Sequence, residues 1–203
     1  MPCKASRFCQ ISHQQGSHYL TKNYNNILKK TQQTLQARSP LYSFQFMGLT
    51  LATGFGVGLG PKMPGTYGSM VGILFGWGLL KLPFSLQITI FILSCALAIW
   101  SIHVADKYWK TRDNAKIVID EILGMGLVLL GTIPDLKHGI LAFMLFRLFD
   151  IMKIPPIRQI DQLSHTLTNP FFASAAVLLD DLGASIQSLL ILWSLDWLHH
   201  WLQ

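Results

Sequence analysis

Residues 82–102 read LPFSLQITIFILSCALAIWSI, 21 positions without a charge. As a helix this stretch is long enough to cross about 30 Å of hydrocarbon. It is the firmest span in the chain and sets the expected fold class, an all-α, multi-pass helical membrane protein. Composition points the same way. The chain has 203 residues, 51% hydrophobic and only 13% charged, with a mean hydropathy of +0.39. That lies on the membrane side of globular averages for a chain of one-domain length.

The flanks of the span constrain its orientation. Residues 103–116 carry Lys107, Lys110, Arg112 and Lys116, and short loops rich in Lys and Arg stay in the cytoplasm. Residues 1–40 carry Lys4, Arg7, Lys22, Lys29, Lys30 and Arg38 and no acid, among many Gln, Asn, Ser and His. Such a composition cannot build a core. It also lacks the amphipathic period of a transit peptide and the apolar h-region of a signal peptide. Residues 1–40 are therefore expected to form a basic flexible N-terminal arm in the cytoplasm, and residues 41–203 the helical membrane domain. An even number of crossings must then separate the arm from the 103–116 loop. The uncharged stretch thinned by Gly48, Gly54, Gly56, Gly58 and Gly60 is the expected re-entrant or interfacial segment. Its GFGVGLG run lacks the GxGxxG spacing, and no βαβ unit follows, so the glycines suit a turn and close helix packing better than a dinucleotide site.

Charge is distributed unevenly. All ten Asp and Glu lie at or after position 106, whereas eight of the sixteen Lys and Arg precede it. The net charge of +6 does not imply nucleic acid, because no basic run is interleaved with aromatics as a nucleic-acid platform requires. Membrane and anionic phospholipid are the expected partners; the oligomeric state is not legible. Cys3, Cys9 and Cys95 contain no CxxC and are expected to be reduced and chemically quiet.

The acids carry the chemistry. In residues 117–125, IVIDEILGM, Asp120 and Glu121 sit side by side in an apolar run. An uncompensated acid at mid-membrane costs roughly 2.5 to 3.5 kcal/mol, so the pair needs a cation, a water-filled cavity or a basic partner. The alternative is a helix end at the water boundary, with the acids solvated or paired to Lys116 and Arg112. Asp113 is a candidate N-cap for a helix expected over 114–131, which would put Asp120 and Glu121 about two turns in. A second adjacent pair, Asp180 and Asp181, falls in a last helix expected at about 171–195. Oxygen-rich sets of this kind suit Mg²⁺, which favours octahedral oxygen coordination and retains waters. The scattered histidines do not support a His-based metal site, and His199-His200 reads as an interfacial feature.

Basic residues accompany the acids. In FMLFRLFDIM (143–152) and the next residue, Arg147, Asp150 and Lys153 are spaced by three and share roughly one helical face, until Pro155 and Pro156 stop the helix. Arg158 and Asp161 repeat the spacing. A ladder of weak helix-end salt bridges is the plainer reading, but the apolar surroundings favour an inward-facing site. The stretch PKMPGTYGS (61–69) reads as a loop offering Lys62, the hydroxyls of Thr66 and Ser69 and flexible amides. These are the parts of a phosphate cradle, or else of an ordinary interhelical turn.

The blocks GFGVGLGPKMPGTYGSM (54–70), Asp113 followed by VIDEILGM (118–125), FRLFDIMKIPPIRQID (146–161) and LLDD (178–181) occur in order across most of residues 54–185. In this combination the chain resembles the phosphatidylglycerophosphatase A family of lipid phosphatases. The resemblance implies a Mg²⁺-dependent hydrolase that converts phosphatidylglycerol phosphate to phosphatidylglycerol in the bacterial inner membrane, with its site facing the cytoplasm. Two departures stand out. The family usually has Lys-Pro where this chain has Lys153-Ile154, and a Gly-Gly-x-Gly run where this chain has Ala173, Ser174 and Ala176, after a lengthened 166–172 stretch. Loss of glycine there would forbid a positive φ.

The residues support such chemistry independently of the resemblance. The chain has no Cys-x5-Arg loop and no DxDx[TV] motif, so carboxylates and bases remain. Asp120, Glu121, Asp180 and Asp181 are the expected Mg²⁺ ligands. Lys62, Thr66, Arg147, Lys153 and Arg158 would neutralise phosphate, while Asp113 and Asp150 would support the site or transfer a proton. Whether water or an aspartate attacks phosphorus stays open. Two other classes compete: a transporter or channel whose acids carry protons or cations, and a catalytically inactive membrane partner, suggested by the altered glycine run.

Overall fold

The computed structural model describes residues 29, 40–112, 114–153, 155, 159 and 167–202. Most of the N-terminal arm, together with Asp113, Arg158 and Asp161, lies outside the described residues. Among those described there are six α-helices and no strand: α1 (Pro40–Ala52), α2 (Pro64–Leu80), α3 (Phe84–Trp109), α4 (Ile119–Leu130), α5 (Leu136–Met152) and α6 (Pro170–Trp201). The expected all-α class holds. Gln45–Gln203 form one compact unit. Helices α3 and α6 are long and apolar enough to cross a membrane. Only 22% of the most apolar window of α3 is buried, and Ile92, Leu93 and Leu97 point outward. A soluble core helix would hide these side chains; lipid removes the need.

Helices α2 and α4 make the most extensive pairing, and the reason is a stripe of glycines. Gly65, Gly68, Gly72 and Gly76 recur at helical spacing along the α2 face that meets α4. A Cβ added at Gly72 would sit 2.7 Å from the Ile122 carbonyl, and one at Gly76 would sit 2.9 Å from Leu129 Cβ. Where lipid tails are as apolar as side chains, close backbone approach of this kind holds helices together. Gly72→Ala is therefore expected to cost about 1 to 3 kcal/mol of stability, read as a lower Tm in detergent. An unchanged Tm would show that the two helices can separate freely.

Two expectations about local structure are corrected here. Residues 64–69 are not loop, because Pro64 opens α2 at the position where its missing N–H costs nothing. Ser69 is buried and its hydroxyl donates to the Gly65 carbonyl at 2.9 Å, so it offers nothing to a ligand. The second correction concerns α4, which begins at Ile119 and not at 114. The preceding turn is taken up by other bonds: Ile117 N donates to Asn114 O at 2.8 Å and Val118 N to Ala52 O at 2.9 Å. Val118 occupies the N-cap position; Asp113, the expected cap, lies outside the described residues. Asp120 and Glu121 consequently stand in its first turn, where the helix dipole favours negative charge.

The glycine-rich segment folds to support that turn. After α1 the chain reverses through Gly54, Phe55 and Gly56, all at positive φ, into a short 3-10 turn at Val57–Leu59. Gly58 lies so close to the Lys116 carbonyl that a Cβ would be 2.1 Å from it.

The remaining core joins α4, α5 and α6 around Met125, Val128, Phe146 and Leu192. Phe146 lies against Gly124, and Ser185 Oγ donates to the Gly124 carbonyl at 2.7 Å. At one end of the bundle, Trp193 Nε1 donates to Gly131 O at 2.7 Å, and His138 bridges Asp135 (2.7 Å) and Asp196 (3.0 Å). Helices α2, α4 and α6 thus run in one direction and α3 and α5 return. The starts of α2 and α4, the ends of α3 and α5 and the first half of α6 all meet at the opposite end.

Candidate active site

At that opposite end is a cavity of about 190 Å³ lined by Asp120, Glu121, Asp150, Asp180, Asp181 and Lys153, with Asn114, Ala115, Ile117 and Val177 completing the wall. Helix α4 supplies its first two acids, α5 the Arg147 to Lys153 face, and α6 the second acid pair. Carboxylate oxygens of Asp120, Glu121 and Asp181 come within 4.8 Å of one another. Asp120 and Asp181 are about 95% buried. Asp120 Oδ1 accepts from Glu121 N at 3.0 Å, which fixes one acid against the other.

The basic residues are distributed differently from the acids. Lys153 Nζ lies 2.7 Å from Asp180 Oδ2, and Arg147 Nη1 lies 2.5 Å from Asp150 Oδ2. Asp180 thus faces a lysine, while its neighbour Asp181 joins the three-acid cluster; consecutive residues on a helix point about 100° apart, so both roles fit one acid pair. Lys153 holds its position through a left-handed backbone at the end of α5, with φ 43°. Lys62 is exposed with φ 81°, and Thr66 is half-buried in the first turn of α2. Neither lines the acidic cavity. Their helix nevertheless begins against the site, since a Cβ at Gly65 would meet Glu121 Oε1 at 2.2 Å and Arg147 Nη1 at 3.2 Å.

Two features of the donor set fit a divalent cation. Five carboxylates line the cavity against Lys153 and the adjacent Arg147, a formal excess of three negative charges. Glu121 Oε2 and Asp181 Oδ2 are buried without a hydrogen-bond partner among the described residues. Buried anions left without donors are costly unless protons or a cation neutralise them. Hard oxygen ligands converging from two helices fit Mg²⁺.

The model of the phosphatidylglycerophosphatase A family matches residues 50–196. The chain belongs to the phosphatidylglycerophosphatase A family. Membership makes it a phosphoric monoester hydrolase. It is 33% identical to the phosphatidylglycerophosphatase A of Escherichia coli K12 over 153 residues, covering 74% of this chain and 83% of that protein. It is 35% identical to the phosphatidylglycerophosphatase A of Haemophilus influenzae over 179 residues, covering 85% and 96%. No solved structure matches the chain. Ala173, Ser174 and Ala176, where a glycine run was expected, are all buried within α6 and none is at positive φ.

Sequence reasoning missed Gly65, whose missing side chain lets Glu121 and Arg147 reach the site. The signal was present in the spacing of Gly65, Gly68, Gly72 and Gly76, of which the first two read as part of a loop.

Proposed function

We propose that the chain is a Mg²⁺-dependent phosphatase that hydrolyses phosphatidylglycerol phosphate to phosphatidylglycerol and phosphate, crossing a bacterial inner membrane several times with its site on the cytoplasmic side. The observation that carries this reading is the buried cluster of Asp120, Glu121 and Asp181 with its undonated oxygens. The orientation rests on Lys107, Lys110, Arg112 and Lys116, which flank the same end of the bundle.

Asp120, Glu121 and Asp181 would hold Mg²⁺, which when bound supplies polarisation of a phosphoryl oxygen and a more acidic water. Lys153, steadied by Asp180, donates to a phosphoryl oxygen from the cavity wall, and Arg147, steadied by Asp150, adds positive charge behind it. As water oxygen bonds to phosphorus and the phosphorus–glycerol oxygen bond breaks, the departing alkoxide needs a proton. The attacking water loses a proton as it bonds; Asp150, held through Oδ2 by Arg147 and lining the cavity, is assigned to take that proton on Oδ1 and pass it to the departing oxygen.

Purified protein in neutral detergent, given phosphatidylglycerol phosphate, is expected to release phosphate in proportion to Mg²⁺ occupancy, to stop on chelation and to recover on re-addition. Full turnover in the presence of chelator would remove the metal from the reading. Absence of phosphate release at saturating Mg²⁺ would remove the reaction itself.

A further inference from the structure

The loop that gives Asn114 and Ala115 to the acidic cavity gives Lys110, Thr111 and Arg112 to a second cavity of about 260 Å³, which His103 and Lys107 of α3 also line. This second cavity has the opposite character. Three permanent cations face it, and the one acid among the described residues of its wall, Asp106, accepts through Oδ2 from Ser174 Oγ at 3.3 Å. Pro170 at the start of α6 closes it, with His103 set edge-on to Phe171 at 6.0 Å. Pro170, Ser174, Val177 and Asp181 fall on one helical face. Ser174, beside the basic cavity, and Val177, in the wall of the acidic one, are separated by a rise of only about 4.5 Å. Two oppositely charged cavities thus adjoin along one stretch of α6 and share one loop.

A lipid phosphate of the kind proposed above carries two different anions. Its terminal monoester holds up to two negative charges and is the group to be hydrolysed. Its diester holds one charge and anchors the headgroup to the glycerol backbone at the membrane surface. An acidic cavity that needs a cation suits the first and repels the second. A basic cavity at the water end of an apolar helix suits the second, because Lys and Arg stems lie along the apolar boundary while their charges reach headgroup level.

We propose that the His103–Arg112 cavity binds the phosphodiester of the lipid substrate, so that the enzyme selects lipids carrying a diester as well as a terminal monoester. This inference rests on the lipid-phosphatase reading. It gives the cavity a role in specificity, not in bond breaking.

The test is Lys107→Gln/Lys110→Gln, which keeps both stems and removes both charges. It uses full-length protein in neutral detergent with no other anionic lipid present. Compared are phosphatidylglycerol phosphate, with both groups, and phosphatidic acid of the same acyl chains, with the monoester alone. The double variant is expected to lose about tenfold or more in kcat/KM on phosphatidylglycerol phosphate, mainly through KM, and the wild-type preference for it over phosphatidic acid should collapse. An equal loss on both lipids, or no loss on either, would overturn the proposal. So would a wild type without preference.

Calorimetric binding of short-chain phosphatidylglycerol, which carries the diester alone, gives a readout independent of turnover. Binding should weaken about tenfold in the variant, and equal binding would again overturn the assignment. If added phosphatidylglycerol instead stimulates wild-type turnover of both substrates and the variant loses that stimulation, the cavity serves a separate lipid and the substrate assignment falls. A wild type that releases phosphate from neither lipid would refute the hydrolase reading, while the calorimetry would still report on the cavity.

Discussion

Asp181→Asn is expected to lower kcat by a hundredfold or more, a loss of several kcal/mol of transition-state stabilisation, without loosening the fold. Asp181 is almost fully buried, its carboxylate lies within 4.8 Å of those of Asp120 and Glu121, and its Oδ2 receives no hydrogen bond among the described residues. Asn keeps the shape and removes the charge. If the cluster holds Mg²⁺, the ion loses a ligand and kcat becomes sensitive to higher Mg²⁺ concentrations. Because the substitution also relieves repulsion among buried acids, Tm should stay level or rise. A structural salt bridge would give the opposite pattern, with normal turnover and lower stability. The decisive measurement is kcat against Mg²⁺ concentration beside Tm in the same detergent, and normal turnover with normal Mg²⁺ dependence would exclude Asp181 from the site.

Gly65→Ala should separate activity from stability in another way. The added Cβ would arrive 2.2 Å from Glu121 Oε1 and 3.2 Å from Arg147 Nη1. Both are the far ends of flexible side chains, so the fold can relieve the clash by swinging them aside at small cost. The site cannot, because Glu121 belongs to the three-acid cluster and Arg147 braces Asp150. Displacement of a catalytic group by about 1 Å can cost about a hundredfold in rate, and a loss of that size is expected with Tm nearly unchanged. Gly72→Ala supplies the contrast. There the new Cβ meets the Ile122 backbone carbonyl at 2.7 Å, so stability should fall while the folded fraction keeps its turnover. Normal kcat in Gly65→Ala would show that Glu121 is not needed where it stands.

The uncharged 82–102 run by itself determined a helix long enough to cross a membrane, because length and absence of charge are local properties that burial in water could not satisfy. The two acid pairs and the Arg147 to Lys153 spacing were equally local, and with the PGTYGS block they carried the family resemblance. The sequence could not reveal which acids meet. Asp120 and Asp181 are some 60 positions apart, and only the docking of α4 against α6 brings them into one cavity while turning Asp180 toward Lys153. The PGTYGS block reads as a loop from composition, yet Pro64 can open a helix as readily as end one, and packing of the Gly65 to Gly76 stripe on α4 decided for the helix. The start of α4 was likewise set from outside itself: Val118 donates to Ala52 and Gly58 presses on Lys116, which moved the first acids from the second turn to the first. The basic residues of the second cavity were legible as one cluster over 103–112, expected on the cytoplasmic side, and became a cavity only because the end of α3 meets the start of α6. Local chemistry specified the spans and the reactive groups; contacts between distant helices chose their partners, because rotation and register between helices are fixed by packing that no single segment contains.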